Sequence, residues 1–170
     1  MTGAGGGPVA SQDDERWMGA ALEQAKAAEF AGDVPVGAVI VQTLTEGAKQ
    51  SFRVMTRANN RTLRDHDPTA HAEVLAIRDA ARTLGTWRLT GCTLYVTMEP
   101  CAMCAGAVVL SRLDRLVFGA FDDKGGMVGS VADIVRHPKL NHQPQVLGGV
   151  RADESAELLR KFFQARRVEA

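Results

Sequence analysis

The chain has 170 residues, 45 % of them hydrophobic, and its 20 Lys and Arg are matched by 20 Asp and Glu. Length and apolar content suit one domain, read as residues 13–170, with a real core, and no apolar run approaches the roughly 20 residues that span a bilayer. Zero formal charge excludes a protein that coats DNA or an anionic membrane by bulk electrostatics, because such binding scales with the phosphates neutralised; neither DNA nor a membrane is expected as a partner. The balance is uneven along the chain. Residues 1–52 carry three basic and seven acidic side chains, 53–64 carry four Arg and no acid, and 156–167 carry four basic against one acidic.

Residues 1–12 read as a Gly-rich flexible tail without the charged and apolar regions of an export signal, so a cytoplasmic setting is expected. Asp13 to Ala31 intersperses Trp17, Ala21, Leu22, Ala25 and Ala28 with charges and predicts an amphipathic helix capped by Asp13 or Asp14. Gly32 and Asp33 stop it, and Val34 to Val41 is a β-branched run of the kind found in buried strands. Gln42 to Ser51 is polar and reads as a loop. Phe52 to Ala58 predicts a strand that ends at Asn59-Asn60, although Arg53, Arg57, Arg61 and Arg64 fall at helical spacing. Asp67-Pro68 looks like an N-cap and first helical Pro, opening a helix through His71 to Leu84 that Gly85 closes. Thr93 to Thr97 predicts a central strand, Cys101 to Leu110 a buried helix and Leu116 to Gly119 another strand. A short helix at Val131 to Val135, a strand at Gln145 to Leu147 and a helix from Asp153 to Arg167, with Leu158, Leu159, Phe162 and Phe163 on one stripe, complete the chain. Helices alternating with short strands predict an α/β domain with a mixed sheet.

Two motifs carry chemistry: His71-Ala-Glu73 and Pro100-Cys-Ala-Met-Cys104. Cys101 and Cys104 are spaced i, i+3 at a helix start, so both sulfurs can face one point where the helix dipole favours thiolates. One His and two Cys make three zinc ligands and leave the fourth tetrahedral position open, as catalysis requires. Glu73, a carboxylate beside the ligands but not one of them, suits proton transfer to and from a zinc-activated water. His71 and Glu73 can share a site only near the N-terminal end of their helix. Cys92 lies nine residues before Cys101, about 30 Å of extended chain, and reads as a buried free thiol rather than a fourth ligand.

With these residues the chain resembles the zinc-dependent cytidine/deoxycytidylate deaminase superfamily, which includes the nucleobase deaminases. Asp67-Pro-Thr-Ala-His-Ala-Glu73, Thr97-Met-Glu-Pro-Cys-Ala-Met-Cys-Ala-Gly-Ala107, Val117-Phe-Gly-Ala120, Asn141-His142 and Phe162-Phe-Gln-Ala-Arg-Arg167 are similar to strings of the bacterial tRNA-specific adenosine deaminases. The resemblance runs from about Val34 to Arg167. It implies a three-layer α/β/α cytidine deaminase-like sandwich around a mixed five-stranded sheet, a homodimer, and conversion of the wobble adenosine of a tRNA anticodon to inosine. It further implies zinc held by His71, Cys101 and Cys104, with Glu73 moving the proton to adenine N1 and then to departing ammonia. Asn60 would hydrogen-bond the flipped nucleotide, Val34 and Met98 would wall the base, and Asp122 would contact the neighbouring nucleotide. The basic end of the last helix, Arg166 and Arg167, would meet the anticodon stem-loop.

The chain departs from the family pattern outside the metal motif. It is longer between Val41 and Asn60, has Phe121 where Arg is usual and Gly126 to Ser130 where smaller residues are usual, and carries Ser155 in place of Cys. The aromatic at 121 gives up a basic phosphate contact but could stack on a base. Two other readings share the same residues: a free nucleobase or nucleoside deaminase of guanine or cytosine type, and a non-catalytic, zinc-stabilised RNA-binding module. Glu73 discriminates against the second, because a structural site has no use for it.

Overall fold

The computed structural model describes residues 9–168. Of the tail assigned to residues 1–12, positions 1–8 lie outside the described residues. Helix α1 spans Gln12–Phe30 and β1 Gly37–Glu46; β2 is Lys49–Asn59, α2 Ala72–Leu84 and β3 Cys92–Met98. Then follow α3 Ala102–Leu110, β4 Arg115–Ala120, β5 Gln145–Leu147 and α4 Ala152–Val168. The strands form one five-stranded sheet in the order β2-β1-β3-β4-β5. β1 runs antiparallel to β2 and β3, whereas β3, β4 and β5 are mutually parallel neighbours. This is the mixed sheet expected.

Side chains alternate across a strand, and the alternation sorts the core into two layers. Ala38, Ile40, Leu94, Val96, Leu116 and Phe118 pack with Ala72, Ala76 and Ala80 of α2 and Val108 of α3. Val39, Val41, Tyr95 and Val117 pack with Trp17, Met18, Ala21 and Leu22 of α1, and Leu158 of α4 lies against them. Because both faces are covered, the first five residues of β1 and the first six of β3 are buried without a break. Gly37 allows α1 to sit directly on β1: a Cβ there would collide with the Ala21 carbonyl.

Several local expectations are corrected. Ser11, not Asp13 or Asp14, caps α1, and Asp14 answers from the third helical position with a reciprocal hydrogen bond to the Ser11 amide. Gln42 to Ser51 is not a loop. The strands continue as a hairpin with Glu46 opposite Lys49, turning through Gly47 at φ 60°. This outer half is solvent-exposed, which accounts for its polar sequence. Asp67 does not cap α2 but closes a tight turn by accepting from the Thr69 amide (2.8 Å) and hydroxyl (2.7 Å). The helix starts at Ala72 with His71 as N-cap. Val131 to Val135 is a chain of turns with one bridge between Val128 and Asp133, not a helix. In α4, Phe162 is buried but Phe163 is 46 % exposed, so the apolar stripe is only partly covered.

Candidate active site and metal centre

Four strand ends converge because of the sheet register. Ala38 pairs with Val96, Gly37 with Asn59, and Met98 with Ala120. The entry to β1 (Val34, Val36), the exits of β2 (Asn60), β3 (Met98, Glu99) and β4 (Asp122) therefore meet at one edge. There they line a cavity of about 320 Å³ together with His71, Glu73 and Cys101. The register brings together Val34, Asn60, His71, Glu73, Met98, Cys101 and Asp122 of the sequence-based site. It does not bring in Arg166 and Arg167, which lie exposed on the last turn of α4; the Arg166 guanidinium donates to the Gly32 carbonyl (3.1 Å) and stacks on Phe162.

Both metal motifs sit at helix N-termini, His71 as N-cap of α2 and Cys101 as N-cap of α3. That placement resolves the two-residue spacing of His71 and Glu73, since an N-cap residue leaves the helical path and its side chain can turn toward the next one. The donor atoms of His71, Cys101 and Cys104 all lie within 4.8 Å of one another. His71 Nδ1 is 3.6 Å from Cys101 Sγ and 3.5 Å from Cys104 Sγ. Zinc bound tetrahedrally with Zn–S near 2.3 Å and Zn–N near 2.0–2.1 Å requires S···N separations of about 3.5 Å, so the cluster fits the ion. Hydrogen bonds from Cys104 and His71 hold the Cys101 thiol far down, at about 3, so it is a thiolate ready to bind. Cys92 is buried outside this cluster, where burial pushes its thiol up to about 11, as an inert core residue.

Glu73 is 4 % exposed, and its Oε2 finds no hydrogen-bond partner among the described residues. A buried orphan carboxylate oxygen beside a metal cluster calls for a partner from outside the chain, a water or a substrate. Burial raises its pKa to about 7, near the value at which a group both takes and returns a proton. Asn60 has its amide nitrogen held by Asp33 Oδ1 (3.0 Å) and Thr62 Oγ1 (2.6 Å). Because the NH₂ must face the carboxylate, the amide orientation is settled and its oxygen remains the free acceptor at the cavity.

Two residues that sequence reasoning missed hold this edge together. Asp33, fully buried, accepts four hydrogen bonds: Val34 N and Asn60 Nδ2 on Oδ1, Leu63 N and Arg64 N on Oδ2. Glu99, also buried, accepts from the amides of Asp122, Val128 and Ser130 and from the Ser130 hydroxyl, and so gathers residues 122–130 around its carboxylate, with Asp122 at the cavity. Burial works against its charge, but these donors outweigh it and keep the carboxyl below its usual range. Gly126 packs so close to Glu99 that a Cβ would collide with the carboxyl carbon. A single Asp after Gly32 and a Glu in the metal motif announce neither role, since their partners are backbone amides about 30 residues away. Phe121, beside Asp122, is 60 % exposed with its ring edge-to-face on Phe118 at 5.2 Å.

An α/β/α sandwich whose His-Cys-Cys cluster adjoins a buried, unpartnered glutamate defines the class, a zinc-dependent hydrolytic deaminase. Residues 11–120 match the model of the cytidine and deoxycytidylate deaminase zinc-binding region. The chain is 46 % identical over 154 residues to the tRNA-specific adenosine deaminase of Bacillus subtilis, covering 91 % of each chain. A solved structure from a study of A-to-I editing by tRNA:A34 deaminases at the wobble position superposes with a TM-score of 0.75 at 44 % identity, covering 85 % of this chain and 99 % of that one. Guanine deaminase from Nitrosomonas europaea is more distant, at TM-score 0.69 and 26 % identity, over 91 % of this chain and 85 % of that one. The chain belongs to the cytidine and deoxycytidylate deaminase zinc-binding family, within its tRNA-specific adenosine deaminases.

Proposed function

We propose that the protein hydrolytically deaminates the wobble adenosine, position 34, of a tRNA anticodon to inosine and releases ammonia. The observation that carries the chemistry is the orphan oxygen of buried Glu73, which shares the cavity with His71 and Cys101 of the three-residue metal cluster. The substrate class is supported by tRNA-specific deaminases being far closer in sequence than the guanine deaminase.

His71, Cys101 and Cys104 would hold zinc, which would supply a water of near-neutral pKa as the nucleophile for adenine C6. Glu73 accepts the proton released, delivers it to N1 as the ring loses aromaticity, and then takes the remaining proton from the new C6 hydroxyl and gives it to the amine, which leaves as ammonia while the C6 carbonyl forms. Atoms balance as adenosine plus water giving inosine plus ammonia. Val34 and Met98 wall the base, the Asn60 oxygen accepts a hydrogen bond from the flipped nucleotide, and Asp122 faces its neighbour. Flipping suits an enzyme whose reacting atoms lie in a recess.

The same reading makes the protein a homodimer, supported by Met103 and Leu110, seven residues apart on α3 and 37 % and 70 % exposed. It also places the enzyme in the cytoplasm; among the described residues no helix is long and apolar enough to cross a membrane. The test incubates zinc-loaded protein with an anticodon stem-loop carrying adenosine at the wobble position, and separately with guanine, cytosine, adenosine and cytidine, scoring ammonia and inosine. Inosine in the stem-loop alone is expected. Turnover of a free base in preference to the stem-loop would overturn the tRNA assignment.

A further inference from the structure

Behind the wall of the catalytic cavity lies a second recess, of about 250 Å³, that the chemistry above does not use. Arg57, Asn59, Arg61, Arg64 and Asp79 line it, with Leu75 against its floor. One short segment separates the two hollows: Asn60, Thr62 and Leu63 face the catalytic cavity, whereas Asn59, Arg61 and Arg64 face the recess. We propose that Arg57, Arg61 and Arg64 cradle the phosphodiester backbone of the substrate RNA where the strand crosses this rim beside the flipped nucleotide. The inference rests on the tRNA reading above and adds to it the surface that holds the flanking strand.

The charge in the recess is positive and pre-arranged. Arg64 Nη2 donates to Asn59 Oδ1 (2.9 Å), and Asn59 in turn is held by Gln24 (3.3 Å). Arg61 is braced by Asp65 at 2.8 Å, and Arg57, paired through its strand with Val39, leaves an exposed side chain that makes no hydrogen bond or ion pair among the described residues. The backbone beneath them is anchored, Arg61 N to the Ala70 carbonyl and Arg64 N to buried Asp33. Asp79, the one carboxylate on the lining, is already paired with Arg82 (3.1 Å) on its own helix. Three guanidiniums and no lysine favour a planar, multidentate oxyanion, which a phosphodiester presents. A polynucleotide with one nucleotide drawn into the cavity has neighbouring phosphates within reach of the segment 59–64 that the cavity and the recess share. This local surface reconciles zero net charge with an RNA substrate, since phosphate contacts position a strand without needing a basic protein.

The test measures stem-loop affinity of the full, zinc-loaded chain by fluorescence anisotropy across a salt series, together with single-turnover deamination at saturating RNA. Arg57→Ala with Arg64→Ala is expected to weaken binding and to make the plot of log affinity against log salt shallower by about 1.4, two single-strand phosphates' worth. Zinc content stays that of the parent, and affinity falls by a larger factor than the single-turnover rate at saturating RNA. Asp79→Asn is expected to tighten binding, a gain that misfolding cannot produce, and Lys26→Ala, on exposed α1 surface, to change nothing. Stem-loop deamination by the parent protein with parental affinity and salt slope in the double variant, or no gain in Asp79→Asn, would overturn the cradle while leaving the enzyme reading intact. Loss of inorganic phosphate competition in the double variant with an unchanged RNA slope would make the recess a free-anion site and equally overturn it. A parent protein that neither binds nor deaminates the stem-loop refutes the underlying tRNA reading instead.

Discussion

Asp33→Asn is the most informative single change at the edge of the cavity, because it keeps the shape of the side chain and removes only acceptor capacity. Each carboxylate oxygen of Asp33 accepts two hydrogen bonds at 2.9–3.0 Å, Oδ1 from Val34 N and Asn60 Nδ2 and Oδ2 from Leu63 N and Arg64 N. An asparagine in either orientation satisfies one pair and turns an NH₂ toward the other pair of donors. Two hydrogen bonds to a charged acceptor are lost, each contributing about 1.5–3 kcal/mol, partly offset by relief of a buried charge. A net loss of about 3 kcal/mol follows, which for a domain of this size lowers Tm by about 6–12 °C. The functional consequence travels through Asn60: without a carboxylate to fix its NH₂, the amide can rotate and present a donor where the substrate needs an acceptor. KM for the stem-loop should therefore rise more than kcat falls. Urea and thermal unfolding of the zinc-loaded variant, with steady-state kinetics on the stem-loop, check both halves. A stability change within about 0.5 kcal/mol, the range of an ordinary surface substitution, together with an unchanged KM, would refute the argument that Asp33 organises this wall.

Glu73→Gln should retain one zinc per chain yet lose about 10²- to 10⁴-fold in single-turnover rate; normal turnover in the metal-loaded variant removes Glu73 from proton transfer. Asp14 is buried, accepting from Tyr95 (3.1 Å) and Arg115 (3.0 Å). Burial pushes its pKa up, but Arg115 and Ser11 outweigh that and hold it at about 2 against 3.8 unperturbed. A depressed carboxylate contributes its stability above the unfolded value, so about 2 kcal/mol is fully present above pH 4 and is lost as pH falls through about 2. Urea midpoints across that range should show a shallower acid limb in Asp14→Asn than in the parent, and equal limbs would contradict the assignment. Arg166→Ala and Arg167→Ala together should weaken stem-loop binding without changing zinc content. Arg166→Ala alone should also cost about 1 kcal/mol of stability through its lost Gly32 and Phe162 contacts, and unchanged RNA affinity in the pair would move the RNA away from α4.

The parts of the fold legible in the sequence are those whose signal is local. Strands β3, β4 and β5 and helices α1, α3 and α4 fall within a few residues of their expected limits, because buried strands read as apolar runs and packed helices as stripes. The outer half of the β1–β2 hairpin was invisible for the opposite reason: exposed on both faces, Gln42 to Ser51 has no apolar alternation to betray a strand. Val131 to Val135 has helical composition but follows directly on Val128 and Ser130, whose amides donate to the distant Glu99 carboxylate, and continues as turns bridged back to Val128 through Asp133. Asp67 is a good cap by type, yet its carboxylate is used by Thr69, and the start of α2 passes to His71.

By itself the amino-acid sequence determined the chemistry: one His, two Cys at helical spacing and a nearby Glu can hold a metal and move a proton wherever they meet, because coordination preference and acidity belong to the side chains. Only the tertiary structure decided that they do meet. The sheet register carries residues separated by up to 88 positions, Val34 to Asp122, to one edge and leaves Glu73 buried with an unsatisfied oxygen. The remote carboxylates Asp33 and Glu99 then fix the walls. It also decided that three of the four closely spaced Arg, Arg57, Arg61 and Arg64, line a groove on one side of a wall whose other side, through Asn60, Thr62 and Leu63, is the substrate cavity, since neighbouring residues of a single segment face opposite ways.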